Sequence, residues 1–294
     1  MQVLVVKVKP QKDRLDQYAS DSIKNLSRSK ANKLIKEGSI LVNKVALTPD
    51  YRVKKGDKVT VEIPLDTQVS LKAEDIPLKI VFEDQDIMVI DKQPDLVVHP
   101  TLDHPTGTLV NAVISHLGSF EDESFRPGIV HRLDKDTSGL IVVAKNQDSL
   151  DSLKKQFKSR VVEKHYMALV VGVVPKEKGT IVGSIDRHPK FKQKFVVSPD
   201  GKEATTEYRV VKRFPKYTLL ELTPLTGRTH QLRVHLSFLG YPIVGDKLYK
   251  GKMLLGRQFL HASQLSFDHP RTGNKMNFNS LLPEDLQNLL DKLD

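Results

Sequence analysis

The stretch GIVHRLDKDTSGLIVVAK, Gly128 to Lys145, joins two opposite kinds of sequence. His131-Arg132-Leu133-Asp134-Lys135-Asp136 is dense in ionisable groups. Thr137-Ser138-Gly139 is turn material, with Asp136 as the expected cap. Leu140-Ile141-Val142-Val143-Ala144 is a continuous apolar run and reads as a buried strand. Charges wedged against a buried strand sit at the edge of a core. There an aspartate and an arginine are held rigidly and partly desolvated, the setting in which carboxylates become reactive.

Working outward, strands dominate. Residues 80–84 and 87–91 read as a hairpin, and Thr108 to Leu117 as a short helix. Asn146 caps a helix with Leu150, Leu153 and Phe157 on one face. Strand signals follow at 166–172, 180–185, 205–212, 218–222 and around 259–267. A helix through Leu232 and Leu236 ends at Gly240, and Pro283 opens a terminal helix. Many strands adjoin through short turns. The expected fold class is α+β: a mixed, largely antiparallel central sheet flanked by helices, over residues 77–294.

The charge is uneven. The chain carries +10, and residues 1–64 hold 14 of its 46 Lys/Arg but only 7 of its 36 Asp/Glu. A compact basic segment on a nearly neutral body suggests a polyanion-binding module. This segment reads as a strand at 3–8, a helix from Arg14 to Leu26 and a second helix capped by Ser27 and stopped at Gly38. Strands at 40–44 and near Pro64 follow, then an aperiodic linker, 65–76. Arg14-Leu15-Asp16, Ser27-Arg28, Ile35, Gly38, Val42-Asn43 and Gly56-Asp57 occur in an order that resembles the small RNA-binding domain named after ribosomal protein S4. That resemblance implies RNA contacts at Arg28 and Lys33.

Several chemistries are excluded or disfavoured. With no cysteine there is no disulfide, zinc-thiolate site or thiol nucleophile. His230 and His235, five apart, lie roughly 140° apart around a helix, a poor pair for one ion, so no metal is expected. GxGxxG, GxxxxGK[ST] and GxSxG are absent. The apolar run Val3–Val6 is too short for a signal peptide, and no run approaches a membrane span. A soluble, cytoplasmic, monomeric protein is expected.

The segment HRLDKDTSGL resembles the central motif of RluA/RluD-type pseudouridine synthases, which modify large-subunit ribosomal RNA. The likeness continues through Lys164 and Tyr166, TGRTHQLRVHL (226–236), Gly240, Pro242, Gly245-Asp246, Leu260-His261-Ala262 and His269-Pro270. One departure stands out. Family members read Asn-Lys-Pro-x-Gly-Leu where this chain has Asp91-Lys92-Gln93-Pro94-Asp95-Leu96, so the turn loses its glycine.

The resemblance implies isomerisation of uridine to pseudouridine, without cofactor, on a base flipped out of ribosomal RNA or a pre-ribosomal particle. It makes Asp134 the catalytic carboxylate, Arg233 its cation, Tyr166 a flat face for the uracil and Arg132 the filler of the vacated gap. Arg228, His230, Lys192 and Lys194 are further candidates for phosphate contacts. Two other functions compete: a non-catalytic RNA-binding assembly factor, and an N-glycosidase that frees the base.

Overall fold

A computed structural model describes residues 2–5, 14–23, 26, 28–62, 72–101, 104–118, 128–191 and 193–293. The chain forms two compact units, Met1–Ser70 and Leu71–Asp294.

In the first unit, β1 (Gln2–Val5) and β2 (Ile40–Val42) both pair antiparallel with β3 (Lys58–Val61). Helices α1 (Leu15–Ser22) and α2 (Arg28–Lys36) complete the unit, with Leu15, Ala19, Leu34, Ile35, Ile40 and Val59 in its core. Helix α1 stops short of the expected Leu26. Ile23 turns extended (φ −119, ψ 119), and it and Leu26 still reach the core. Burial, rather than helical periodicity, explains their apolar character. Asp16 is buried at the start of α1, accepting from Arg14 at 3.1 Å and Arg28 at 3.3 Å. The expected cap Ser27 lies outside the described residues.

The second unit is built on a ten-stranded sheet among the described residues. Its path begins with β4 (Ile80–Glu83) and β5 (Ile87–Lys92). Helix α3 (Leu109–Leu117) follows, opened by a reciprocal cap between Thr108 and Asn111. Next come β6 (Gly128–Ile129), β7 (Ser138–Ala144) and α4 (Gln147–Ser159), capped by the Asn146 side chain. Strands β8 (Glu163–Val171) and β9 (Lys178–Val182) lead to a two-stranded hairpin, β10 (Ile185–Arg187) and β11 (Phe195–Val197). The remaining elements are β12 (Thr205–Phe214), β13 (Tyr217–Pro224), α5 (Gln231–Phe238), β14 (Leu260–Asp268), β15 (Lys275–Asn279) and α6 (Glu284–Asp291).

The sheet order is β4-β5-β7-β14-β8-β13-β12-β9, with β6 on β7 and β15 on β14. All its pairings are antiparallel except β7 with β14. The expected α+β class with a largely antiparallel sheet is the observed one. The expected strand 180–185 is split in two, because the chain leaves the main sheet after Val182 to form the small hairpin.

The continuous apolar runs have a physical reason. In β7, Ile141 and Val143 face one core with Met88 and Ile90 of β5, while Leu140, Val142 and Ala144 face another with Ile87 and Val89. A strand buried on both faces has no polar side to alternate with.

The parallel contact places His261 beside Ser138 and Ala262 beside Gly139. Gly139 has φ +111, and a Cβ there would lie 2.2 Å from the Ala262 carbonyl oxygen. Only glycine lets the two backbones meet, so Gly139 fixes where the charged stretch ends and the sheet begins.

Candidate active site

The loop His131–Thr137 is held at nearly every residue. The half-buried His131 ring stacks on Phe157 (4.8 Å between centroids), and its Nε2 accepts the Val142 backbone N–H at 3.0 Å. Burial, aided by the charge of Lys164, pulls its pKa to about 3, so it is a neutral structural pin. Leu133 enters the main core. The turn is closed by the Thr137 N–H donating to the Asp134 carbonyl oxygen at 3.1 Å, a backbone bond in place of the expected Asp136 cap.

Lys92, 1% exposed at the end of β5, donates to the carbonyl oxygens of Gln93 (2.8 Å), Leu96 (3.0 Å) and Lys135 (3.0 Å). Burial lowers its pKa to about 7 against the pull of Asp136 and Asp134. The three acceptors match the three protons of an ammonium, which therefore ties the β5 turn to the residue following Asp134. Asp95 in that turn takes φ 63, so the left-handed shape survives the loss of glycine. Aspartate tolerates this region better than most residues. Arg257 donates to the Asp136 carbonyl oxygen at 3.2 Å and forms a two-pronged pair with Asp285 of α6. Gln258 donates to Thr137 Oγ1 at 3.2 Å. His261 Nε2 faces the Ser280 carbonyl oxygen, so its Nδ1 accepts the Ser138 hydroxyl at 3.0 Å.

Asp134 emerges from this frame with its side chain 16% exposed, and Arg233 meets it. Arg233 Nη1 donates to Asp134 Oδ2 at 2.9 Å. Its Nε and Nη2 donate to the two oxygens of Asp246 at 2.7 and 2.9 Å. Asp246 is fully buried and also accepts the backbone N–H groups of Leu248 and Tyr249. Burial opposes charge on Arg233, but the bonds to Asp246 and the charge of Asp134 outweigh it and raise its pKa. The guanidinium is a permanent cation, fixed from behind and presented to one carboxylate in front.

Tyr166 arrives through sheet register. It pairs with Ala262 of β14, which pairs with Gly139 of β7, so it stands two strand spacings, roughly 10 Å, from the end of the loop. Burial and then the charge of Asp134 raise its pKa above the ordinary phenol value, so it is a neutral ring.

The other sequence-picked residues divide by setting. Arg132, two residues before Asp134 in the loop, is exposed. His230 is half-buried, with Nε2 3.9 Å from Asp134 Oδ2. Arg228 is exposed, its Nε donating to the Glu203 carbonyl oxygen at 3.0 Å. Lys194 lies in the β10–β11 loop with Nζ 5.4 Å from the centre of the Phe191 ring. Lys192 lies outside the described residues. In the first unit, Arg28 leans on Asp16, and Lys33 faces Glu37 across one helical turn at 3.6 Å. Arg257 and Gln258 belong to no motif in the sequence, whereas Tyr249 stands out there beside Gly245-Asp246. A buried lysine ending the apolar strand IMVIDK, and a Gly-Asp pair after a helix, were the available signals for Lys92 and Asp246.

Comparison with known proteins gives this arrangement a family. The family described as RNA pseudouridylate synthase matches residues 86–238, which contain Asp134, Tyr166 and Arg233, and the S4 domain matches residues 13–59. An uncharacterised RNA pseudouridine synthase of Bacillus subtilis is 41% identical over 96% of this chain and 94% of its own. Ribosomal large subunit pseudouridine synthase D of Pseudomonas aeruginosa is 42% identical over 95% of this chain and 92% of its own. Among solved structures, human RNA pseudouridylate synthase domain containing 1 superposes with a TM-score of 0.58 at 27% identity, covering 75% of this chain and 96% of that one. Family match and near-full-length identity agree: the chain belongs to the RNA pseudouridylate synthases, carries an S4 domain at its N-terminus, and isomerises uridine to pseudouridine in RNA.

Proposed function

We propose that Asp134 is the reacting carboxylate and that the substrate is large-subunit ribosomal RNA, naked or in a pre-ribosomal particle. The observation that carries the first part is the Asp134–Arg233–Asp246 chain. The second part rests on relatives named for the large ribosomal subunit.

In the reaction the bond from N1 of uracil to C1′ of ribose breaks and the bond from C5 to C1′ forms. The proton leaves C5 and, in the balance, N1 gains one. Arg233 faces the Asp134 carboxylate with a fixed cation and aims it while the flipped base excludes water. Tyr166 gives the uracil a flat neutral face, and Arg132, exposed at the rim, fills the gap the base leaves in the RNA. Arg228, Lys192 and Lys194 contact phosphates of the RNA around the site. Residues 1–64 form the RNA-binding domain, with Arg28 and Lys33 as contacts, 65–76 a linker and 77–294 the catalytic domain. The division between the two compact units falls inside that linker, which favours this partition. The reading carries with it a monomer working in the cytoplasm; no described helix is long and apolar enough to cross a membrane.

Pseudouridine mapping of ribosomal and transfer RNA tests this in cells lacking the protein, with the wild type or Asp134→Asn returned. Sites in large-subunit RNA that reappear only with the wild type support the reading. Sites confined to transfer RNA overturn the substrate, and sites restored by Asp134→Asn overturn the carboxylate.

A further inference from the structure

His230 stands at the start of α5 but does not act as its cap. It takes φ 55, a left-handed conformation for a non-glycine residue, and its side chain makes no capping bond. Gln231 secures the entry to the helix instead. Its Oε1 accepts from Thr226 and from the Arg228 N–H, and its Nε2 donates to the Thr205 carbonyl oxygen and Thr206 Oγ1. The unusual backbone at 230 therefore turns the imidazole inward, with its side chain only 17% exposed.

Inside, the ring has two neighbours that differ in kind. Nδ1 lies 2.9 Å from the Tyr249 hydroxyl, and that oxygen already accepts the Phe195 backbone N–H at 3.0 Å. Burial pushes the Tyr249 pKa up to about 12, so the hydroxyl keeps its proton. With one N–H entering the oxygen, the hydroxyl proton goes to Nδ1. The imidazole proton is then on Nε2, the atom 3.9 Å from Asp134 Oδ2. Phe195 meets the ring edge-on at 5.5 Å and Tyr249 at 5.7 Å, so the plane is fixed as well as the tautomer.

The charged groups around the ring are Asp134 and Arg132 of the motif loop, Arg233 of α5 and Asp246 beyond it. Burial leads in lowering the His230 pKa, Asp134 and Asp246 oppose it, and the two arginines add to it. The ring works as a neutral donor.

We propose that His230 is a positioning residue for Asp134: Tyr249 fixes its tautomer so that Nε2–H closes on Oδ2 as a second donor beside Arg233. Both donors then hold the same oxygen. Among the described residues, Oδ1 receives no hydrogen bond, so Oδ1 is the atom left to react with the substrate. Substrate entry, by displacing water, shortens the 3.9 Å gap to a hydrogen bond. The inference rests on Asp134 as the reacting carboxylate.

The test uses the full-length protein and compares His230→Gln, His230→Asn and Tyr249→Phe with the wild type and Asp134→Asn. The readouts are single-turnover pseudouridine formation and RNA affinity on the same transcript. Glutamine carries an amide N–H close to the imidazole Nε2 position, whereas asparagine reaches only the Nδ1 position. His230→Asn is expected to slow the chemical step roughly ten- to a hundredfold, as for loss of a donor to a charged acceptor, at unchanged RNA affinity. His230→Gln is expected to recover most of that loss. Tyr249→Phe is expected to cost roughly three- to tenfold alone and nothing more in the His230→Asn background, since it acts through the imidazole.

Equal loss in the Gln and Asn variants would overturn the proposal in favour of simple packing. A loss confined to RNA affinity and its salt dependence would overturn it in favour of a phosphate contact. Full activity in Asp134→Asn would instead sink the assignment of the carboxylate itself, a result separable from either.

Discussion

Arg233 serves two carboxylates at once, and replacing it separates what holds the fold from what runs the reaction. Asp246 is wholly buried, with Arg233 Nε and Nη2 at 2.7 and 2.9 Å. Arg233→Met leaves that carboxylate without its cation. Removing one partner of a buried pair costs about 3–5 kcal/mol. At roughly 2–4 °C per kcal/mol for a unit of this size, the unfolding midpoint should fall by on the order of 6–20 °C. Adding Asp246→Asn removes the orphaned charge and keeps an oxygen for the backbone N–H groups of Leu248 and Tyr249. Replacing both members of a buried pair is often close to neutral, so stability should return to within about 2 kcal/mol of wild type. Activity should not return, because Asp134 still lacks the donor at 2.9 Å. Thermal unfolding by circular dichroism and single-turnover pseudouridine formation on one transcript read the two quantities. A double variant that regains activity along with stability would refute the role given to Arg233. So would Arg233→Met melting with the wild type.

Other outcomes follow from single features. His131 is packed against Phe157 and neutral with a pKa of about 3, against an unfolded value near 6.5. Its contribution is fully present above about pH 6.5 and is lost as pH falls toward 3, with a slope of at most about 1.4 kcal/mol per pH unit; His131→Asn should flatten that limb in urea titrations at stepped pH. Gly139→Ala forces a Cβ to 2.2 Å from the Ala262 carbonyl oxygen at φ +111, and the variant should lose at least about 3 kcal/mol or fail to fold, as read by thermal melting. Removing residues 1–64 takes away 14 of the 46 Lys/Arg, so RNA affinity should drop and its dependence on salt should become shallower in filter-binding series.

Much of this site was legible in one dimension because local chemistry was unambiguous there. The apolar run 140–144 announced a strand buried on both faces, and the adjoining charges announced the edge of a core. Gly139 was readable as a turn, but its close approach to Ala262 was not, because that contact spans more than a hundred residues. Arg233 was expected at Asp134 only through resemblance. Its anchor, Asp246, follows a turn after α5, and no periodicity encodes that bidentate geometry. The inward aim of His230 depends on one left-handed residue and on a tyrosine nineteen positions later, features a helical pattern hides. The Ile23 and Leu26 positions show the converse: apolar spacing suggested more helix, whereas the fold used those side chains to fill the core from extended chain.

The central claim is that an ionised Asp134, held by Arg233, carries out the isomerisation. Tritium release from C5-labelled uridine in large-subunit ribosomal RNA tests it most directly, because the C5 proton must leave whatever the chemical route. Asp134→Asn keeps the size and most of the hydrogen bonding while removing the charge. The account predicts release at background with RNA affinity intact, and release near the wild-type rate would contradict it.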